Sequence, residues 1–594
     1  MFFPQPKHNL TIKKTQVKVD PSWYLVWGNQ ARLTSNFTWQ EGELSIAHSQ
    51  PVFSPDKNLV LVGDIWLSNQ ASLQSSLSGY SQNNTNNNIN NQVNNSIYDD
   101  LEIVAQLWES YGLECLKLLE GIWNLAVFDR KKQELYVVRD RTGGKSLFYI
   151  KNQGVIYIAP RLVNLTPFHA HQLDLIALRD YLICAFVPGE QTLWQGIREL
   201  KPGHYLHLPS GNLQVYWQPQ ENIQNADQSL EWHGEKLRFL LEEVVQEYLP
   251  ANQPVGVFLS GGIDSSCITA LAKKLHDQPV HTYSIYFGEK YPHELEFANL
   301  VAQHCQTEHH ILTIEPQKLW ELLPLTLAHM DQPIGEGLTV PNLLIGEQAK
   351  QDVDVVLNGE GGDPCFGGPK NSPMLLNSLY QSVSDIPMVD IESAYLTSFK
   401  KCYPYLSQLL KPAVWQAVKS VPSLFADDLQ RADTSYLNRL MLINIKIKGA
   451  DYILSKVNCF TQANNLAGRS PLFDRRIVEL SLQIPPAYKL SLAEEKAVLK
   501  MAVKDLLPEA IIQRPKSGMV MNLYQWFQKF WYRSARQLLL NKNAEISPYL
   551  NQDLIRQWLN YQGEISGRYG TLLWLLVTLE IWLKVQKNYR NYHQ

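Results

Sequence analysis

Between residues 59 and 160, short apolar runs alternate with clusters of turn-forming residues. The runs are LVLVGDIWL (Leu59–Leu67), WNLAVFD (Trp123–Asp129), ELYVVRD (Glu134–Asp140) and GVIYIAP (Gly154–Pro160), with RKKQ and RTGGK among the breaks. β-Branched and aromatic residues in runs of that length predict strands, and the breaks predict turns. Asp99–Gly112 (DDLEIVAQLWESYG) is patterned instead as an amphipathic helix, with acidic residues in the first turn where the helix dipole favours them. Pro202–Trp217 reads as a hairpin and the polar run Gln218–Gln228 as a linker. Gln82–Asn95 (QNNTNNNINNQVNN) offers too little apolar surface to offset the entropy of ordering it. A disordered loop insertion is expected there.

After the linker the texture changes. VGVFL (Val255–Leu259), VHTYSIYF (Val280–Phe287), HHILTI (His309–Ile314) and VDVVLN (Val353–Asn358) are apolar strands separated by helical stretches. That alternation predicts a parallel, doubly wound α/β sheet. From about Pro373 onward the pattern is mostly helical. The most apolar late stretch, Thr571–Val585, is too short to span a bilayer and contains Glu580, so a buried C-terminal helix is expected.

Composition narrows the class. A chain of 594 residues, 45% hydrophobic, has room for about two to four domains. With 19% charged residues and a net charge of -4, nothing electrostatic calls for a nucleic acid or a membrane as partner. The seven cysteines are scattered and never spaced as CxxC, which argues against a disulfide framework or a cysteine zinc site. Such cysteines fit a reducing cytoplasm, the location expected, and the first residues show no apparent signal peptide.

The chemistry concentrates in VFLSGGIDSS (Val257–Ser266), a predicted strand, a glycine turn and the start of a helix. Gly261 and Gly262 let the backbone turn and approach a ligand. Amides at the helix start, with the hydroxyls of Ser260, Ser265 and Ser266, form an anion cradle. No Walker lysine follows, and Asp264 within an anion site makes sense as a Mg²⁺ ligand. A serine-capped helix after a tight turn is the bland reading of a bare SGG, but the full string is far more specific. VVLNGEGGDPCFGG (Val355–Gly368) leaves a second apolar strand and carries Glu360 and Asp363. Ligands of such sheets lie beyond the carboxyl ends of the strands, so both loops can face one crevice. In IIQRPKSGM (Ile511–Met519), Lys516 lies in a loop and could neutralise developing charge.

The strings LSGGIDSS, NGEGGD, GRSPLFDRRIVELSLQIP, EEKAVLK and LPEAIIQRPKSGM stand in the order found in asparagine synthetases. YGLECLKLLEGIWNLAVFDRKKQELYVVRDRTGGKSLFY resembles the glutaminase-like domain of that family, and VPGEQTLWQGIRELKPGHYL resembles its connector. The resemblance implies two domains: a glutaminase-like αββα sandwich of the Ntn type over 1–220, and a pyrophosphate-loop ATPase α/β domain over 230–594 with a parallel sheet and a helical C-terminal part. It implies ATP and Mg²⁺ as cofactors. The nucleotide would be held by Leu259, Ser260, Gly261, Gly262, Ile263, Asp264, Ser265, Ser266, Ser284, Asn358 and Gly359. Asp264 and Asp363 would hold the metal, and Glu360 and Lys516 would be catalytic.

Two departures concern the front half. Glutamine-dependent members begin Met-Cys, whereas this chain begins Met1-Phe2-Phe3 and has no cysteine before Cys115. The family's NGEIYN strand, whose Asn-Gly helps form an oxyanion site, appears as Val62-Gly63-Asp64-Ile65-Trp66-Leu67. The glutaminase-like domain is therefore expected to be inactive. The synthetase half also drifts, with Ala467, Pro364 and Gln332 where glutamates are usual.

The expected activity is adenylation of a carboxylate followed by amide formation with an amine carried by the substrate. β-Lactam synthetases and lasso-peptide macrolactam cyclases lack the same cysteine, and Gly63–Leu73 (GDIWLSNQASL) resembles a segment of such cyclases. That reading implies a small-molecule or peptide carboxylate, and for a cyclase a precursor peptide and a leader protease; a homodimer is the assembly allowed for. The alternatives are an ammonia-dependent asparagine synthetase and a catalytically inactive relative. A tRNA thiolase would want catalytic cysteines and a basic RNA-binding face.

Overall fold

The computed structural model describes residues 22–28, 37–83, 99–170, 172–288, 292–368, 390–490, 494–514, 521–563 and 568–593. The front half holds two antiparallel six-stranded sheets. One contains Tyr24–Trp27, Leu44–Ala47, Phe148–Asn152 and Val155–Ala159. The other is built around Leu59–Leu67, Gly121–Asp129, Glu134–Arg139 and His204–Leu208.

The period-two alternation of the strands divides two cores. Val60, Val62, Ala126 and Phe128 point between the sheets, where they meet Leu25, Ile46 and Ile158 of the facing sheet. Leu59, Leu61, Leu125 and Val127 point the other way, onto Ile103, Val104 and Leu107 of the helix Asp100–Tyr111. Each such fully buried aliphatic side chain stabilises the fold by about 1.5–3 kcal/mol. Asp99 caps that helix in a capping box with Glu102. Outside the first sheet lies the helix Leu175–Cys184, which completes the αββα layering. The helix Gln70–Asn83 runs two residues into the asparagine-rich tract; the rest of that tract lies outside the described residues.

The back half is built on a five-stranded, wholly parallel sheet. Its order is Glu308–Thr313, Val280–Tyr286, Val255–Phe258, Val355–Leu357 and Ala467–Arg469. From Val255–Phe258 the chain winds one way for two strands, then returns to the other side of the same strand. The strands Val255–Phe258 and Val355–Leu357 are thus neighbours across the topological switch point, where such sheets open a crevice. The rest is mainly helical and ends in the helix Tyr569–His593, most of whose apolar residues are fully buried. Among the described residues no helix is long and apolar enough to cross a membrane.

Gln218–Gln228 contains no strand or helix, but it does not behave as a free tether. Asn222 and Gln224 donate backbone bonds to Leu482 and Gln483, and the Glu221 carboxylate accepts from the Ser435 amide at 2.9 Å. Composition revealed its polarity and not these partners. Ion pairs join the halves elsewhere, with Arg475 on Glu120 at 3.1 Å and Arg161 on Asp331 at 2.9 Å.

Candidate active site

The strand Val255–Phe258 ends at the switch point, and the chain turns through Leu259–Gly262 into the helix Ile263–Leu275. Gly261 has φ +72°, and a Cβ on it would lie 2.5 Å from the Ala298 amide nitrogen. Only glycine fits there without strain. The loop is knit to itself: Ser265 Oγ accepts from the Ser260 amide at 3.1 Å and donates to the Gly262 carbonyl at 3.2 Å. Arg514 braces it from outside, donating to the Gly261 carbonyl at 2.8 Å while lying 4.1 Å over the Phe297 ring.

The second loop follows the adjacent strand Val355–Leu357. Asn358 is nearly buried and its amide group donates to the Arg469 carbonyl at 3.0 Å, tying the loop to the edge strand. Its Oδ1 accepts from the Glu360 amide at 3.0 Å. A Cβ on Gly362 would fall 2.1 Å from Asp264 Oδ1, so the second loop presses directly on the acid of the first.

Asp264 and Asp363 meet on a single cation that sequence reasoning left unassigned. Lys496 Nζ lies 2.7 and 2.6 Å from the two Asp264 oxygens and also pairs with Asp363. Lys496 is 1% exposed, takes a left-handed φ of 57°, and immediately precedes the helix Ala497–Val503. The strain of that φ in a non-glycine residue is of the kind concentrated at functional sites. Its motif, EEKAVLK, was visible; the fold that brings it to the aspartates was not.

A cleft of about 240 Å³ opens beside these loops, lined by Leu259, Ser260, Asp264, Ser265, Asn358, Gly359 and Glu360 on the loop side. Tyr283, Ile345 and Phe460 form part of its apolar wall, suited to a flat aromatic base. Lys456 also lines the cleft, with Nζ 2.9 Å from Glu336 Oε1 and 4.9 Å from the Tyr452 ring. Burial works against its charge, but the fields of Glu336, Tyr452 and Glu360 outweigh burial and hold the ammonium above its ordinary range. Lys456 follows an eleven-residue π-helical stretch, Asn444–Leu454, a feature frequent at functional sites.

Not every expected residue faces the cleft. Ser266 is fully buried, and its amide is bonded to the Gly262 carbonyl. Ser284 reaches the loop, but its hydroxyl donates to the Leu259 carbonyl at 2.6 Å, so it sets the loop's position. Lys516 lies outside the described residues; Arg514, two residues before it, is the part of that motif seen to touch the loop. Gln332, one of the departures from family pattern, accepts from the Leu193 amide at 2.9 Å and so fastens the connector. Cys267 and Cys365, beside the two loops, are buried, and burial pushes both thiols up to about 12. Thiols held that high are poor nucleophiles, which speaks against thiolase chemistry at these two positions.

A glycine loop at the switch point of a parallel sheet, with paired aspartates and an apolar base pocket, defines an ATP-using α/β enzyme of the pyrophosphate-loop class. The family model for asparagine synthase matches residues 236–584, and that for a glutamine amidotransferase domain matches residues 42–217. The chain belongs to the asparagine synthetase family and is an ATP-dependent carbon–nitrogen ligase. Among similar proteins, asparagine synthetase (glutamine-hydrolyzing) 1 of Bacillus subtilis (strain 168) is 24% identical over 519 residues, covering 82% of each chain. Asparagine synthetase (glutamine-hydrolyzing) 3 of the same strain is 26% identical, covering 78% of this chain and 77% of that one. Amidase chry2 of Gibberella zeae (strain ATCC MYA-4620 / CBS 123657 / FGSC 9075 / NRRL 31084 / PH-1) is 23% identical, covering 75% and 76%.

Proposed function

We propose that this ligase activates a peptide carboxylate as its acyl-adenylate and closes it onto an amine of the same substrate, forming a macrolactam. The observation that carries the adenylation half is the meeting of Asp264 and Asp363 on Lys496, with Glu360 on the same cleft. Two carboxylates that converge on one ammonium supply the hard oxygen donors Mg²⁺ takes, with phosphate oxygens to complete its shell. They fit Mg²⁺, which when bound would offset charge on the polyphosphate.

The residues then divide the work. The Ser260–Ser265 turn grips the pyrophosphate with amides and hydroxyls at the positive end of a helix. Lys496 adds positive charge beside it. A substrate carboxylate oxygen attacks the α-phosphorus, and the bond to pyrophosphate breaks. The amine attacks the acyl carbon, yields its proton to Glu360, and AMP leaves. Lys516 is assigned the charge developing at the acyl centre.

The amine is assigned to the substrate because the resemblance puts an apolar residue, Val62, where glutamine hydrolysis would need a donor. Val62 occupies the position of the oxyanion asparagine and is buried between the two sheets. Trp66, on the same strand, is packed beneath Arg469 at 4.2 Å and edge-on to Tyr248 at 4.8 Å. The likeness of Gly63–Leu73 to cyclase sequences favours a peptide acceptor. A second reading is asparagine formation from aspartate and ammonia; the names of the similar proteins favour its asparagine product, but those proteins are glutamine-hydrolyzing. Incubation with Mg·ATP and linear peptides carrying a free N-terminus and an acidic side chain separates the two. A product lighter by one water, formed without glutamine, is expected; asparagine from aspartate and ammonium with no peptide product would replace this reading with the second.

A further inference from the structure

At the amino end of the parallel sheet, on strands whose other ends bear the nucleotide cleft, three side chains converge that the ligase chemistry does not use. His281 is the second residue of Val280–Tyr286, His310 lies on the neighbouring strand Glu308–Thr313, and Asp352 immediately precedes the apolar run leading into Val355–Leu357. His281 Nδ1 and His310 Nε2 are 3.2 Å apart, and His310 Nε2 is 3.7 Å from Asp352 Oδ2. One donor atom from each of the three lies within 4.8 Å of the others. Glu308 stands at the rim with Oε2 3.6 Å from His281 Nδ1.

We propose that His281, His310 and Asp352 form a site for a divalent transition metal of the zinc type, with Glu308 at its rim. A tetrahedral zinc with bonds of about 2.0–2.1 Å requires ligand atoms about 3.3 Å apart; the His281–His310 and His310–Asp352 pairs stand at 3.2 and 3.7 Å, and all three donors lie within 4.8 Å. Two imidazole nitrogens and a carboxylate oxygen are a donor set that a zinc-type ion takes. The nitrogen content selects against Mg²⁺ and Ca²⁺, which take oxygen ligands.

A second feature is independent of these distances. The Tyr283 hydroxyl donates to Asp352 Oδ2 at 3.0 Å, an outer donor of the sort that fixes a ligating carboxylate. Its ring is stacked on His310, with centroids 4.9 Å apart and planes 15° apart, and His281 stacks on His310 at 5.5 Å and 21°. The three rings hold both imidazoles in nearly parallel planes. Tyr283 also walls the nucleotide cleft, so the site would brace that wall from behind. His281 is nearly buried while His310 and Asp352 are partly exposed, leaving a path from solvent.

The test uses the full chain, stripped of metal by chelation, without nucleotide. Zn²⁺ titrated against a chromogenic chelator is expected to bind at one equivalent per chain, and Co²⁺ to give the visible absorption of a tetrahedral site with nitrogen ligands. His310→Ala should remove that equivalent, and Tyr283→Phe should weaken it about 10- to 100-fold. Should His310→Ala lose native circular dichroism, Asp352→Ala carries the same reading. Equal zinc stoichiometry in wild type and variant, a Co²⁺ spectrum without tetrahedral intensity, or equal competition by Mg²⁺ would each overturn the proposal and leave a hydrogen-bonded histidine cluster only.

Discussion

Replacing Gly362 by alanine tests whether the two loops are registered to one another for chemistry. The added Cβ would lie 2.1 Å from Asp264 Oδ1, 2.3 Å from its Cγ and 2.9 Å from its Cβ. Because the clash reaches the Asp264 Cβ, a rotation of the carboxylate cannot relieve it. Asp264 or the second loop must withdraw by about 1 Å, and a misplacement of that size costs about 100-fold in rate. That corresponds to about 2.7 kcal/mol of transition-state stabilisation. Withdrawal also pulls Asp264 from Lys496, so the Mg·ATP affinity should fall with the rate. The assay is the initial rate of AMP formation alongside calorimetric titration of Mg·ATP, with circular dichroism to confirm the fold. A Gly362→Ala protein within about threefold of wild type in both rate and affinity would refute the idea that Asp264 is held in place for nucleotide chemistry.

Other consequences follow from the same geometry. Lys489 is fully buried, with Nζ donating to the Ser481 carbonyl at 2.7 Å, and burial pushes it down to about 7. The unfolded chain therefore binds the extra proton between pH 7 and about 10.5, so this residue makes stability rise with pH by up to about 1.4 kcal/mol per unit. Urea titrations across that window should show the slope in wild type and its loss in Lys489→Met; an unchanged slope would contradict the burial argument. Lys456→Met leaves Glu336 without its cation and should destabilise the protein by about 3 kcal/mol, read as a lower urea midpoint. Adding Glu336→Leu should recover most of that loss, and failure to recover would mean the pair is not the cause. With Val62 buried where the resemblance puts the oxyanion asparagine, glutamine should release no glutamate in a coupled dehydrogenase assay, and measurable release would reverse the assignment of the amine.

Much of the site was legible because its parts are local. A strand, a glycine turn and a helix start within Val255–Leu275 announce an anion loop, and NGEGGD repeats that logic one strand away. The apolar alternation in Leu59–Leu67 and Trp123–Asp129 likewise gave strands whose two faces enter two cores. What escaped were charges that become functional only through distant packing. Lys496 reaches Asp264 across 232 residues, and Lys456 reaches Glu336 across 120. A lone lysine in a helix pattern reads as surface, and nothing in its neighbours reports that it will be buried. The linker's anchoring escaped for a related reason: a polar run such as Gln218–Gln228 can be pinned by backbone bonds that composition does not encode.

The central claim is that ATP is split between its α and β phosphates to activate a carboxylate. It is tested most directly by exchange of labelled pyrophosphate into ATP, run with Mg²⁺ over a panel of amino-acid and peptide carboxylates. Exchange that depends on one class of acid and vanishes in Asp264→Ala is the predicted result. No exchange with any acid, or release of ADP and phosphate in place of AMP and pyrophosphate, would contradict it.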